Sequence, residues 1–139
     1  MSRYLFRGKR VDNGEWVAGI YLFDDFGNAA IGVNGKWDIV KGFCYECRNH
    51  LEEIYQVDPD TISQCTGIKD KNGKLIFEGD ALNLNCQTIG NEFDGIVGRV
   101  IFTECGYFID DGKRICPLWQ ECEDLELIGN IRDNPELII

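Results

Sequence analysis

Four residues have the types, and three of them the spacing, of metal ligands. Cys44 and Cys47 are separated by two residues, His50 follows three positions on, and Cys65 could supply a fourth donor. Thiolate sulfur and imidazole nitrogen suit tetrahedral zinc, and two thiolates so spaced can grip one ion. A structural site ordinarily shows two paired clusters, however, and here the second is a single cysteine. The expectation is therefore thiols packed as small hydrophobes, a surface His50, and no resident metal or cofactor. A redox role for the Cys-x-x-Cys pair lacks the strand-then-helix context that such chemistry uses.

Glu78 and Asp80 are the next chemical candidates. Two carboxylates share acid and base work only when opposed environments separate their pKa values inside a pocket. A turn at Gly79 would break the same-side geometry of residues two apart, so a turn-and-cap device is the better reading. His50 is the only histidine and has no serine or cysteine partner with sequence support. No GxxxxGK[ST] or GxGxxG loop occurs, which argues against nucleotide hydrolysis. No enzymatic activity is expected.

The elements that must position these residues are read from turns. Asp12-Asn13-Gly14 stands between a basic segment and the apolar run Trp16 to Leu22, which predicts a hairpin. Asp24 to Asn28 and the Asn-Gly within Val33 to Trp37 repeat the signal, and together they predict a meander of short strands. Ile54 to Val57 reads as a strand, closed by a turn at Asp58-Pro59-Asp60 with a short helical turn as the alternative. Asp70 to Lys74 predicts a tight hairpin, and Leu82 and Leu84 alternate with asparagines as the inward face of a strand. Residues 95–102 and 106–109 read as paired strands, Asp110 to Lys113 as a further turn, and Leu125 to Ile131 as an alternating strand. Helical periodicity over ten or more residues is absent. The fold is expected to be mainly β, with short antiparallel strands and little helix.

The stretch "VDPDTISQCTGIKDKNGKLIFEGDAL", followed by "IGNIRDNPELI" at Ile128 to Ile138, resembles the YopX family of phage and prophage proteins. The opening "YLFRGKRVDNGEWVAG" resembles the start of its members, so the likeness spans nearly the whole chain. The resemblance implies an SH3-like barrel, a phage or prophage gene in a bacterial host, and no known reaction. It implies a structural part for Gly67, Asp70, Asn72, Gly73, Glu78, Gly79, Asp80, Gly129, Asn130, Asn134 and Pro135. Residues 1–60 are expected to form a β-meander portion and 61–139 the SH3-like portion of one unit. Cys65, where members often carry a bulky apolar residue, is expected in the core.

Composition bounds the rest. The 139 residues carry a formal charge of -10. Met1 to His50 has seven basic and six acidic residues, whereas Leu51 to Ile139 has seven basic and eighteen acidic. The acidic balance disfavours nucleic acid, whose binding is driven by protein cations. Seven scattered cysteines, an odd number, suit a reducing compartment. No apolar run reaches the ~18 residues that span a bilayer, and no secretory signal opens the chain, so a cytoplasmic location in the host is expected. Arg3, Arg7, Lys9 and Arg10 interleave with Tyr4, Leu5 and Phe6, which on a strand gives one apolar face and one solvated basic face. The acidic run Glu121, Glu123, Asp124 and Glu126 reads as a solvated face, and the apolar tail should dock. The expected function is non-enzymatic binding or assembly through a protein partner or self-association. The rival readings are a nucleic-acid-associated regulator and a small zinc protein.

Overall fold

The computed structural model describes residues 5–33, 53–84, 95–118 and 125–137. Among the described residues, eleven strands and two short 3-10 turns account for the regular structure. The strands form two antiparallel sheets, one of six strands and one of five, and no barrel closes among the described residues. The chain divides into two compact units between Gln64 and Cys65.

The first unit is Tyr4–Gln64, and the Asn-Gly turn expected within Val33 to Trp37 lies outside the described residues. Strands β1 (Phe6–Lys9), β2 (Trp16–Phe23), β3 (Ala29–Val33) and β4 (Glu53–Val57) pair consecutively. Local chemistry makes each turn. Between β1 and β2 the Gly14 N–H donates to the Arg10 carbonyl at 2.9 Å, and Asn13 Oδ1 accepts the Glu15 N–H at 2.9 Å. Between β2 and β3 one oxygen of Asp24 accepts the N–H groups of both Phe26 and Asn28 at 2.9 Å. After β4 the turn predicted at Pro59 is its helical alternative, a 3-10 turn over Pro59–Thr61 that Asp58 caps by accepting the Asp60 N–H. Thr61 Oγ1 fastens it to β1 by accepting the Lys9 N–H at 2.8 Å.

The chain then enters β5 (Ser63–Lys69), whose first residues pair with β1, Ser63 opposite Arg7 and Gln64 opposite Phe6. An isolated bridge between Arg10 and Val57 returns β4 to the end of β1. Ala29, Ile31 and Val57 form the core, with Phe6, Val17 and Tyr21 packed against it. Gly8 shares that face because a Cβ there would lie 2.9 Å from Val57 Cγ2.

In the second unit the remainder of β5 pairs with β6 (Leu75–Phe77), Cys65 opposite Phe77 and Lys69 opposite Leu75. Strands β7 (Asp80–Leu84), β8 (Ile96–Thr103), β9 (Gly106–Asp110), β10 (Ile115–Pro117) and β11 (Leu125–Asn130) form the five-stranded sheet. Leu82 and Leu84 are buried as the alternation predicts, beside Ile76, Ile96, Val100, Ile109 and Leu125. β11 departs from the predicted alternation. A register shift between Leu127 and Gly129 breaks its period, and only Leu125 is fully buried. The tail follows as a second 3-10 turn, Pro135–Leu137.

Candidate functional site

β1 and β2 alternate as amphipathic strands do, so Arg7 and Lys9 project on the side opposite Phe6 and the core. Their register sets Lys9 directly opposite Trp16 and Arg7 opposite Ala18. The consequence is a cationic aromatic surface on the first unit. The Arg7 guanidinium carbon lies 4.6 Å from the centre of the Trp16 ring, and Lys9 Nζ lies 5.4 Å from it. Arg7 Nε donates to Ser63 Oγ at 3.0 Å, which fixes the guanidinium plane. Two cations over one indole are each attracted by the ring's negative face.

A second cation–aromatic pair stands at the β1–β2 turn. Arg10 stacks over Tyr55 of β4, 4.0 Å from its ring centre, and holds Asp12 through two bonds of 2.9 and 2.5 Å. That fork raises Arg10 and lowers Asp12 from their ordinary pKa values, so both stay charged. Tyr55 donates its hydroxyl to Glu53, which pushes the phenol up. The expected basic face is thus present at Arg7 and Lys9, while Arg3 and Tyr4 lie outside the described residues.

The metal candidates are not assembled in the part that is described. Cys44, Cys47 and His50 lie outside the described residues. Cys65 is buried in the second unit, its sulfur accepting the Gly67 N–H at 3.4 Å. Among the described residues no three His, Cys, Asp or Glu side chains gather as metal ligands would. Glu78 and Asp80 are parted by Gly79, whose φ of +87° turns the chain between them. Asp80 is buried and accepts the Phe77 N–H at 2.7 Å, while Glu78 is half-buried.

The two sequence motifs, far apart along the chain, meet in the second unit. Asp70 Oδ1 accepts the Asn72 and Lys74 N–H groups, both at 2.9 Å, and Oδ2 accepts the Leu127 N–H at 3.0 Å. The Lys71 N–H donates to the Leu125 carbonyl, and the Ile131 N–H to the Gly79 carbonyl. Asn130 Oδ1 accepts the N–H groups of Arg132 and Asp133, and a Cβ on Gly129 would crowd Asn134 Oδ1. The predicted hairpin is therefore also a strap onto β11.

The sequence over residues 5–139 matches the family model described as YopX protein. The chain belongs to the YopX family. This YopX chain is also similar in fold to a solved structure, described as the crystal structure of protein EF1440 from Enterococcus faecalis. The two are 24% identical, the likeness covers 96% of each chain, and the TM-score is 0.54. No curated protein matches the sequence. Within the YopX fold, Trp16 and Tyr55 are the site residues that sequence reading misses. The signal for Trp16 is present: pairing outward from the Asp12-Asn13-Gly14 turn sets it opposite Lys9. Tyr55 has no local signal, because the Arg10–Val57 bridge that aligns it is long-range.

Proposed function

We propose that this YopX protein is a non-enzymatic binding module of phage or prophage type. Its contact is the Arg7–Lys9–Trp16 surface, and its partner is a protein bearing an acidic segment. The observation that carries this reading is the pair of cations held over the Trp16 indole at 4.6 and 5.4 Å. A guanidinium already stacked and hydrogen-bonded loses little freedom when its fork meets a carboxylate. The acidic remainder of the chain repels a long polyanion, but a short acidic segment ends within the screening length of about 10 Å at 0.1 M salt. An SH3-like barrel belongs to the same proposal, set in residues 4–64 and not in the 61–139 that the resemblance implies. It is supported by the strand order β4-β3-β2-β1-β5, the 3-10 turn before β5 and the Arg10–Val57 bridge. Such barrels commonly offer a groove between loops to a peptide, an argument by analogy of fold. In the second unit, Asp70, Gly79, Asp80, Gly129 and Asn130 serve shape.

Titration calorimetry with a poly-glutamate peptide at low salt tests the proposal. Wild-type protein releases or absorbs heat on binding, and replacing Arg7 and Trp16 with alanine weakens affinity by about tenfold. Absence of binding at low salt overturns it. The basic strand also favours a second reading, contact with nucleic acid. A gel shift that is lost when Arg7, Lys9 and Arg10 are replaced would put that reading first.

A further inference from the structure

We infer that the acidic segment of the partner is apolar at one end. Its carboxylates seat on Arg7 and Lys9, and a large aliphatic side chain about four residues along seats on a row formed by Ile20, Gly32 and Ile54. The inference deepens the acidic-partner reading and rests on it.

Register decides which residues share the cationic face. Phe6, Tyr21 and Phe23 stack in file on the core side, ring centres 5.4 and 5.3 Å apart. Gly19 shares that side, because a Cβ there would lie 3.1 Å from Cγ2 of buried Ile31. β2 pairs first with β1 and then with β3 without a break in register, so Trp16, Ala18, Ile20 and Leu22 stand on the opposite side, with Arg7 and Lys9. The same pairing carries this face onto the next two strands. Ile20 lies opposite Gly32 and Gly32 opposite Ile54, while Leu22 lies opposite Ala30 and Ala30 opposite Gln56.

The face changes character along β2. Cations and an indole occupy the Trp16 end. From Ala18 onward β2 and β3 present aliphatic side chains or glycine: Ala18 is exposed, and Ile20, Leu22 and Ala30 are half-buried. Ile54, on the outermost strand of the sheet, is 57% exposed. Ala18, Ala30 and Gly32 keep the relief low, so an extended backbone can lie close and bring its own larger side chains down on the row. A wholly acidic segment would press carboxylates against isoleucine and lose their hydration without a partner. Nucleic acid meets the cations but has no long aliphatic group for the row. A peptide with both chemistries satisfies the whole face, its charges setting the register and its apolar group adding buried area. Trp16 and Ile20 are four residues apart, about 13 Å at ~3.3 Å per residue, and an extended ligand spans that distance in four residues of its own.

Calorimetry at low salt with two end-blocked peptides tests this. One is Glu-Glu-Ser-Ser-Ser-Leu, the other has serine in place of leucine, and each is made in both chain directions. In one direction the leucine peptide should bind about tenfold tighter than its serine counterpart, as the burial of one aliphatic side chain requires. Ile54→Ser should bring that ratio close to one, whereas Arg7→Ala weakens both peptides and preserves it. The leucine–serine comparison on wild-type protein decides the matter even if the Ile54→Ser variant fails to fold. Equal affinity of the two peptides in both directions overturns the inference and leaves the acidic-partner reading standing; failure of every peptide and of poly-glutamate overturns both. Wild-type protein that sediments as a dimer, with a monomeric Ile54→Ser variant, has this row covered by its own copy, and that result also overturns the inference.

Discussion

Asp70 is only 6% exposed, and burial alone would push its carboxyl up. The N–H groups of Leu127, Lys74 and Asn72, with the Lys74 charge, more than offset that cost and hold it below its usual range. Removing the charge weakens three bonds at once, so Asp70→Asn should lower unfolding free energy by about 1–3 kcal/mol at pH 7. Urea denaturation measures this. The pH dependence has a definite sign. With the folded pKa below the unfolded value of about 3.9, the unfolded chain takes up the proton first. The contribution is complete above that value and is lost as pH falls toward the folded pKa. The wild-type urea midpoint should drop below pH 4, and that drop should be shallower in Asp70→Asn. Asp70 as a turn residue is legible from sequence, because its bonds to Asn72 and Lys74 are local. Its hold on Leu127 is not, since nothing near Asp70 in sequence encodes a partner 57 positions away.

Among the elements, the β8–β9 hairpin has the least favourable turn for its shape. Thr103 pairs with Gly106, so Glu104 and Cys105 alone make the reversal, at φ of 49° and 64°. Both angles lie in the left-handed region that Asn-Gly adopts with little strain. Replacing Glu104-Cys105 by Asn-Gly should raise stability by about 1 kcal/mol, read as a higher melting temperature. The same hairpin depends on close backbone approach at Gly98. A Cβ there would sit 2.6 Å from the Asp110 carbonyl oxygen, so Gly98→Ala must part β8 from β9 and should cost about 1–3 kcal/mol. This explains which hairpins are legible in advance. Asp24, Asp70 and Asp111 accept backbone bonds within their own turns, and that chemistry shows in any short window. Glu104 and Cys105 carry no such signal, and only the apolar runs on either side locate the turn.

For the whole molecule, the uneven charge predicts how assembly responds to salt. If association joins Arg7 and Lys9 to the carboxylates of an acidic segment, the attraction is screened as ionic strength rises. The complex with poly-glutamate should weaken by about tenfold between low salt and 0.5 M. Titration calorimetry at a series of salt concentrations would show it. The mainly β character is legible from turn spacing, and the pairing of β1 with β2 and of β2 with β3 follows from consecutive hairpins. The order of the remaining strands is not, because β7 pairs with β11 across more than forty residues of sequence. Nor does any local pattern announce that β5 serves two neighbours, with Ser63 and Gln64 against β1 and Cys65 and Lys69 against β6. That shared strand bears on any attempt at dissection. Since no spacer separates the two units, scissors placed between Gln64 and Cys65 would sever a continuous ribbon and leave each unit its own pairing residues only as a freshly cut, fraying end. Viable fragments should each retain Ser63 to Lys69, the same seven residues duplicated on both sides of the split.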